Sequence, residues 1–249
     1  LTGEALGLRA YMFFDLLRIY NTAYSVDPTC RNVPLKKDFG FALGEQATTA
    51  QALDYLVEEL TMARQLLKEH DPIITGIASS NKYVNYDRRF RMNYYAATAL
   101  LARIELYRGN YAQACAYAEE VIACPTFRFI EEEEIIETDI YGKELKIDRL
   151  FMPEMIFTLG NENILGISQA YYESLGGDFV KSGACYESGD LRRNWLYTNP
   201  SANNKINLIR YQRSTLAEDA HLYDKPAVPM LKLGEMYLIA AEAALNDPS

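Results

Sequence analysis

Apolar residues recur at steps of three and four in two stretches of the first 70 residues. This spacing places them on one face of an α-helix, so each stretch predicts a helix with one buried face. The predicted buried positions are Leu6, Ala10, Phe13, Leu17 and Tyr20 in the first helix, and Leu53, Leu56, Leu60, Ala63 and Leu67 in the second. Prolines and glycines within residues 22–44, and polar residues within 71–89, predict irregular connections.

Residues 90–125 predict a helical hairpin. Its two apolar faces are Tyr95, Ala99, Ala102 and Leu106, then Tyr111, Ala114, Ala118 and Val121. Gly109 lies between the two faces and can adopt the left-handed conformation that ends a helix, while the alanines allow close helix packing. The pattern is typical of a tetratricopeptide repeat, in which each helix pair packs on its neighbours.

The end of the chain predicts another helix of this kind. Its predicted buried face is Met230, Leu233, Tyr237, Ala240 and Ala244. The segment is similar to the first helix of the hairpin, and Asn246 and Asp247 follow it where a turn is expected. We therefore expect the chain to stop within a repeat and its last helix to expose apolar surface.

Residues 126–227 lack a clear period. Glu154–Gly160 has the apolar and aromatic bias of a short buried strand, and the acids from Glu131 to Glu134 indicate a solvated loop or strand edge, or a cation site as a minor alternative. Glycines and tyrosines in the rest predict long ordered loops. We expect one domain over residues 1–249, with a helical layer from 1–125 and 228–249 and a loop-rich insert at 126–227.

Charge and composition narrow the classes of partner. The chain has 25 Lys and Arg against 34 Asp and Glu, a net charge of −9, which argues against a nucleic acid or an anionic membrane surface. Tyrosine is abundant, with 19 residues against a single Trp, and suits half-wet carbohydrate or peptide sites as well as helix faces. No targeting leader is recognisable, and we expect the true N terminus to lie upstream of Leu1.

The sequence carries no recognisable catalytic or metal-binding motif. His70 and His221 lack a nucleophile motif, and helix acids such as Glu59 and Glu120 are expected on solvated faces. The four cysteines, Cys30, Cys115, Cys124 and Cys185, form no CxxC pair, so buried thiols are expected rather than a zinc site. We therefore expect no catalytic residues, no metal and no cofactor.

Five segments occur in an order that resembles the SusD/RagB family of outer-membrane nutrient-binding lipoproteins. The helical segments are GEALGLRAYMFFDLLRIY, RMNYYAATALLARIELYRGNYAQACAYAEEVI and YDKPAVPMLKLGEMYLIAAEA. Between the last two lie PEMIFTLG and the pair Asp190 and Arg192. The resemblance covers nearly the whole chain, although family members are about twice as long, so it implies a fragment lacking both ends.

The resemblance implies a mostly α fold, in which tetratricopeptide-like hairpins form a right-handed superhelix that carries a long irregular ligand-binding loop region. It also implies a surface lipoprotein of the outer membrane, tethered through an N-terminal lipid anchor outside this chain. The implied function is non-catalytic binding of an oligosaccharide for delivery to a TonB-dependent, SusC-like transporter. A helical-repeat scaffold that binds peptide or protein is the alternative.

A sugar site needs an aromatic platform with amide or charged groups at its rim. The loop region supplies candidates of both kinds, namely Trp195, Tyr171, Tyr172, Tyr186, Asn161, Asn163 and Arg193. Trp195 equally suits a small loop core. We expect structural roles for Asp190 and Arg192, which can tie a loop together, and for Glu235 and Glu242, which can pair with neighbouring helices.

Overall fold

A computed structural model describes residues 1–77, 87–138, 140, 144–174, 190, 197–198, 207–208 and 227–247. Its helices are α1 (Thr2–Tyr20), α2 (Thr49–His70), α3 (Pro72–Thr75), α4 (Tyr94–Arg108), α5 (Tyr111–Ile122), α6 (Glu132–Ile135), α7 (Ile164–Ser174) and α8 (Leu233–Asn246), with 3₁₀ turns at Arg88–Phe90 and Met152–Glu154. Its strands are β1 (Ile136–Thr138), β2 (Glu144–Ile147), β3 (Met155–Gly160), β4 (Tyr197–Thr198), β5 (Asn207–Leu208) and β6 (Ala227–Lys232). The chain divides into a helical unit, residues 1–127 with 231–249, and a second unit, residues 128–230.

The helical unit is built from paired helices. α1 packs on α2, α4 packs on α5, and α8 packs on both α5 and α4. The hairpin of α4 and α5 turns at Gly109, whose φ of 75° is the left-handed value expected there. The helix pairs confirm the predicted mostly α fold class with tetratricopeptide-like hairpins.

Leucine and alanine side chains form much of the core of this unit. All five predicted positions of α2 are buried, and α4 is buried on most of its circumference because α2, α5 and α8 pack around it. Polar side chains stabilise the helix starts. Asn93 Oδ1 accepts the N–H of Ala96 at 2.8 Å, and Thr48 with Gln51 forms a capping box at α2.

The predicted face of α1 was partly wrong. Ala10 and Leu17 are buried, but the same side of the helix also contains Gly3, Gly7 and Phe14, whereas Phe13 is half-buried and Tyr20 is 61% exposed. The two glycines lie where α1 meets neighbouring elements. A Cβ at Gly3 would lie 2.9 Å from the carbonyl oxygen of Ala63, so the helix surface there cannot carry a side chain.

The last helix also differs from its prediction. Met230 to Lys232 belong to β6, so α8 begins at Leu233, and its buried positions are Leu233, Met236, Ile239 and Ala243. Tyr237, a predicted core position, is 45% exposed. The expected exposed apolar surface on this helix is present, because Leu238 and Leu245 are 72% and 84% exposed.

The second unit contains the described strands. β1 pairs with β2 in antiparallel register, with Ile136 opposite Ile147, and β4 pairs with β5 in the same sense. β3 pairs with β6, whose first four residues belong to this unit. The buried strand predicted over residues 154–160 is confirmed, because the first four residues of β3 are buried.

Candidate functional site

The turn between β3 and α7 places one end of the region predicted to bind ligand. Asn161 Oδ1 accepts the N–H of Asn163 at 2.9 Å, and the Asn161 carbonyl oxygen accepts the N–H of Ile164 at 3.2 Å. These two bonds turn the chain from the strand into the helix. The Asn161 side chain is therefore engaged by its own backbone, as is common for asparagine at a helix start.

α7 presents an exposed face that begins at this turn. Asn163, Ile167 and Tyr171 follow each other at steps of four, and all three are exposed, Ile167 by 58% and Tyr171 by 61%. Gly166 and Ala170 lie between them and keep the surface low. The opposite side of the helix includes the buried Ser168, and α7 packs on β5. The result is a shallow strip with an amide at one end and a tyrosine ring at the other, which we call the α7 strip.

Such a strip has the chemistry to contact a sugar. A pyranose ring offers an apolar C–H face to an aromatic side chain, and its hydroxyls can bond an amide at the rim. The strip therefore combines an amide, an aliphatic side chain and an aromatic ring, which are groups that suit contact with a sugar.

Ion pairs cross the helical unit and engage many of its acidic side chains. Arg88 donates to Asp71 Oδ1 and Oδ2 at 2.8 and 3.0 Å, and to Glu4 Oε1 at 2.8 Å. Burial alone would raise the pKa of Glu4, but hydrogen bonds and charges from Arg91 and Arg88 outweigh burial and lower this pKa. A cavity of about 670 Å³ adjoins this cluster, and two of the carboxylates at its wall, Glu4 and Asp71, already face arginine.

Glu59 and Glu120 belong to further pairs. The predicted solvated position was wrong for Glu59, whereas the Glu120 side chain is 34% exposed. Glu59 is 5% exposed and is paired with Arg9 and the hydroxyl of Tyr55. Glu120 pairs with Arg64 and accepts the hydroxyl of Tyr94 at 2.6 Å. Burial and the bond to Glu120 raise the pKa of Tyr94 to about 12. Both partners, Arg9 and Arg64, lie on other helices, and periodicity within one helix cannot reveal them.

The described part of the chain holds no group of three or more His, Cys, Asp or Glu side chains that could bind a metal ion. Of the cysteines, Cys124 is buried as predicted, whereas Cys30 and Cys115 are half-buried, and Cys185 lies outside the described residues. Within those residues, no helix is both long enough and apolar enough to span a membrane.

Comparison with known structures identifies the fold. A SusD superfamily protein from Bacteroides thetaiotaomicron matches with a TM-score of 0.64 and 20% identity over 99% of this chain and 55% of its own. Surface glycan-binding protein A from Bacteroides uniformis gives a TM-score of 0.62 and 17% identity over 98% and 54%. A SusD-like carbohydrate binding protein from Bacteroides vulgatus gives 0.60 and 17% over 99% and 51%. The chain has the SusD-like fold.

The similarity to these proteins is detected by comparison of structures and not by comparison of sequences. No protein-family model matches the sequence, and no curated protein is detectably similar to it. The chain spans about half the length of the solved structures that it matches. The SusD-like fold thus confirms, for the fold, the resemblance inferred from five sequence segments.

The structure places some of the predicted site residues of this SusD-like chain and not others. Asn163 and Tyr171 share the α7 strip, Asn161 caps the preceding turn, and Tyr172 lies on α7 rather than in the predicted loop. Asp190 is half-buried. The remaining candidates, Trp195, Tyr186, Arg193 and Arg192, lie outside the described residues.

Glu235 and Glu242 occupy different environments on α8. Glu235 accepts two bonds from the guanidinium of Arg103 on α4, one of them at 2.6 Å. Desolvation would lower the pKa of Arg103, but this pair raises it. Glu242 is exposed, and its carbonyl oxygen accepts the side-chain amide of Asn246 at 2.8 Å.

Sequence reasoning missed one aromatic surface, in the connection between α1 and α2. Phe39 and Phe41 lie there with fully exposed rings. Their signal in the sequence was the pattern Phe-Gly-Phe within a polar loop, where two large apolar residues have no helical or strand period to bury them.

Proposed function

We propose that the chain is part of a SusD/RagB-type protein that binds oligosaccharide at the bacterial cell surface without catalysis. The proposal includes attachment to the outer membrane through a lipid anchor outside this chain, and delivery of the ligand to a TonB-dependent, SusC-like transporter. The SusD-like fold supports it, as do the names of two structural neighbours, one a carbohydrate binding protein and the other a glycan-binding protein. It treats residues 1–249 as one domain of that protein.

The α7 strip is the observation that carries the binding proposal. It combines an exposed ring at Tyr171, an exposed amide at Asn163 and a low surface between them, all on one helix face. Trp195, Tyr172, Tyr186 and Arg193 are proposed to extend the same site. The roles proposed for Asp190 and Arg192 are structural.

Non-catalytic binding is supported by the pairing of acidic side chains with arginine in the helical unit. Hydrolysis of a glycosidic bond commonly needs two carboxyl groups that face one cleft, one of them able to give up a proton. In the helical unit, Glu4, Glu59, Asp71, Glu120 and Glu235 instead face arginine. Carboxylates paired in this way hold helices of the unit together rather than facing one cleft.

Tyr171→Ala tests the site. Because a buried aromatic contact in a binding hot spot contributes on the order of 2 kcal/mol, we expect affinity for the bound glycan to fall at least about tenfold. Affinity electrophoresis against amylopectin, arabinoxylan, pectic galactan, yeast mannan and mucin O-glycans identifies the glycan, and calorimetry measures the loss. Tyr20→Ala is the matched control, since Tyr20 is also a helical tyrosine with 61% exposure.

The outcomes separate the hypotheses. Affinity lost in Tyr171→Ala and retained in Tyr20→Ala, with equal melting temperatures, supports the α7 strip. Equal affinity in both variants would place the contact elsewhere. If wild-type protein bound none of the glycans but retained peptides from a random library, the peptide-binding alternative would replace this proposal.

A further inference from the structure

The connection between α1 and α2 carries an aromatic loop that is exposed although it is held in place. Residues 36–44 form this segment, which we call the Phe loop. The exposed fractions of Phe39, Phe41 and Leu43 are 108%, 109% and 98%. Large apolar side chains seldom stand fully in water as a group without a binding role.

The base of the Phe loop is closed by specific bonds. Leu35 and Glu45 exchange two backbone hydrogen bonds of 2.8 and 3.0 Å. Gly44 permits this closure, because a Cβ there would lie 2.8 Å from the carbonyl oxygen of Leu35. Arg9 of α1 donates to the carbonyl oxygen of Lys37 at 3.1 Å. The two rings are therefore presented from a loop whose ends are fixed to the helical unit.

A cavity of about 400 Å³ adjoins the base of the loop. It is lined by Arg31, Leu35, Lys37, Glu45, Gln46, Ala47 and Gln51. This volume lies within the range of roughly 300–1,000 Å³ that is typical of small-molecule sites. Leu35 and Glu45, which close the base of the Phe loop, both line the cavity, so the loop that carries the exposed rings starts and ends at the cavity wall.

The polar groups of the cavity offer both donors and acceptors. Arg31 has five N–H donors, of which Nη1 donates to the Gln46 carbonyl oxygen at 2.7 Å within the described structure. Gln51 Oε1 accepts the N–H of Thr48, which leaves the amide nitrogen of Gln51 as a donor. Glu45 Oε2 accepts from Lys37 Nζ at 3.0 Å, which leaves its other oxygen as an acceptor.

We propose that the Phe loop and this cavity form a second carbohydrate-binding site, for a neutral, hydroxyl-rich sugar. The inference rests on the proposed function and adds a site on the helical unit to the one proposed on α7. Sugar C–H faces would stack on Phe39 and Phe41, and hydroxyls, each both donor and acceptor, would bond Arg31, Glu45 and the two glutamines.

The cavity lining carries charges of both signs. Glu45 offsets Lys37 and Arg31 adds a positive charge, but an acidic ligand that bonds Arg31 would also lie near the carboxylate of Glu45. A wholly apolar partner would remove water from Arg31, Glu45 and Gln51 without replacing their hydrogen bonds. A polyhydroxylated neutral ligand avoids both costs.

The test compares aromatic with aliphatic side chains of equal exposure. The glycans are those used for Tyr171→Ala, and every variant carries Tyr171→Ala, so that binding at the α7 strip does not mask the second site. To this background we add either Phe39→Ala with Phe41→Ala, called the double variant, or the control Leu43→Ala. We expect at least a tenfold loss of affinity in the double variant, less than a twofold loss in the control, and unchanged melting temperatures. Stacking on sugar requires a flat ring, whereas a protein partner would also lose contact with Leu43.

The outcomes are distinct. If the double variant binds as tightly as Tyr171→Ala alone, the Phe-loop site is overturned while the proposed function stands. Equal losses in the double variant and in Leu43→Ala overturn it in favour of an apolar docking surface for a protein. Failure of the wild-type protein to bind any of the glycans removes both this site and the proposed function.

Discussion

Replacing Arg88 with methionine would remove a buried guanidinium that holds two acidic side chains. Arg88 is 8% exposed and bridges Asp71, which is 2% exposed, to Glu4 on α1. Methionine fills similar space but leaves the carboxylate of Asp71 buried without its cation. Removing one partner of a buried ion pair typically costs about 3–5 kcal/mol, because the remaining charge is uncompensated.

Thermal unfolding of wild type and Arg88→Met measures this cost. We expect a melting temperature lower by roughly 6–20 °C, since 1 kcal/mol corresponds to roughly 2–4 °C for a chain of this size. Arg128→Met is the control, because Arg128 donates to Glu134 at 2.6 Å and the Arg128 side chain is 51% exposed, so about 1 kcal/mol or less is expected. Equal destabilisation by the two changes would refute the reasoning.

Two further predictions concern the stability of the helical unit. Gly7→Ala should lower the free energy of unfolding by about 1–3 kcal/mol, because a Cβ there would lie 2.5 Å from Cγ of the buried Met92. Gly234→Ala should raise the free energy of unfolding by about 0.4–1 kcal/mol, because a Cβ at Gly234 would meet nothing within 4 Å. Thermal unfolding of both variants checks the signs. The lowered pKa of Glu4 means that its ionised form stabilises the fold at neutral pH and that this stability is lost as the pH falls through 4.5 and below. The stability difference between wild type and Glu4→Gln should therefore shrink between pH 7 and pH 3, and a constant difference would contradict the linkage.

The sequence predicted helices best where leucine and alanine mark the buried face. α2 follows this rule at all five positions. On α1, Gly3 and Gly7 lie on the buried face because they lack side chains, and a count of apolar residues assigns them no weight. At α8, pairing of β6 up to Lys232 overrides helix periodicity at Met230. Each error arose where a neighbouring element, rather than the local residues, decided the structure.

The sequence predicted which residue types form the candidate site, but not how those residues are arranged in space. Asn163 and Tyr171 were selected as residue types that suit a sugar, but the segment was expected to be a loop, so their shared helix face was not foreseen. Gly166 contributed to this, because glycine lowers the helix propensity of the stretch. Asn163, which immediately precedes α7, is a helix-start signal that could have revealed this helix.

The two proposed surfaces share one physical property, which is that the backbone carrying their aromatic rings is anchored to neighbouring elements. Tyr171 is carried on a helix that packs on β5, and the Phe loop is closed between Leu35 and Glu45 and bonded to Arg9. Ordering a flexible segment on binding opposes affinity, so a surface that is already ordered keeps more of each contact as net binding free energy. Shallow, preformed aromatic surfaces suit capture of a ligand that must later be released, because they bind without enclosing it.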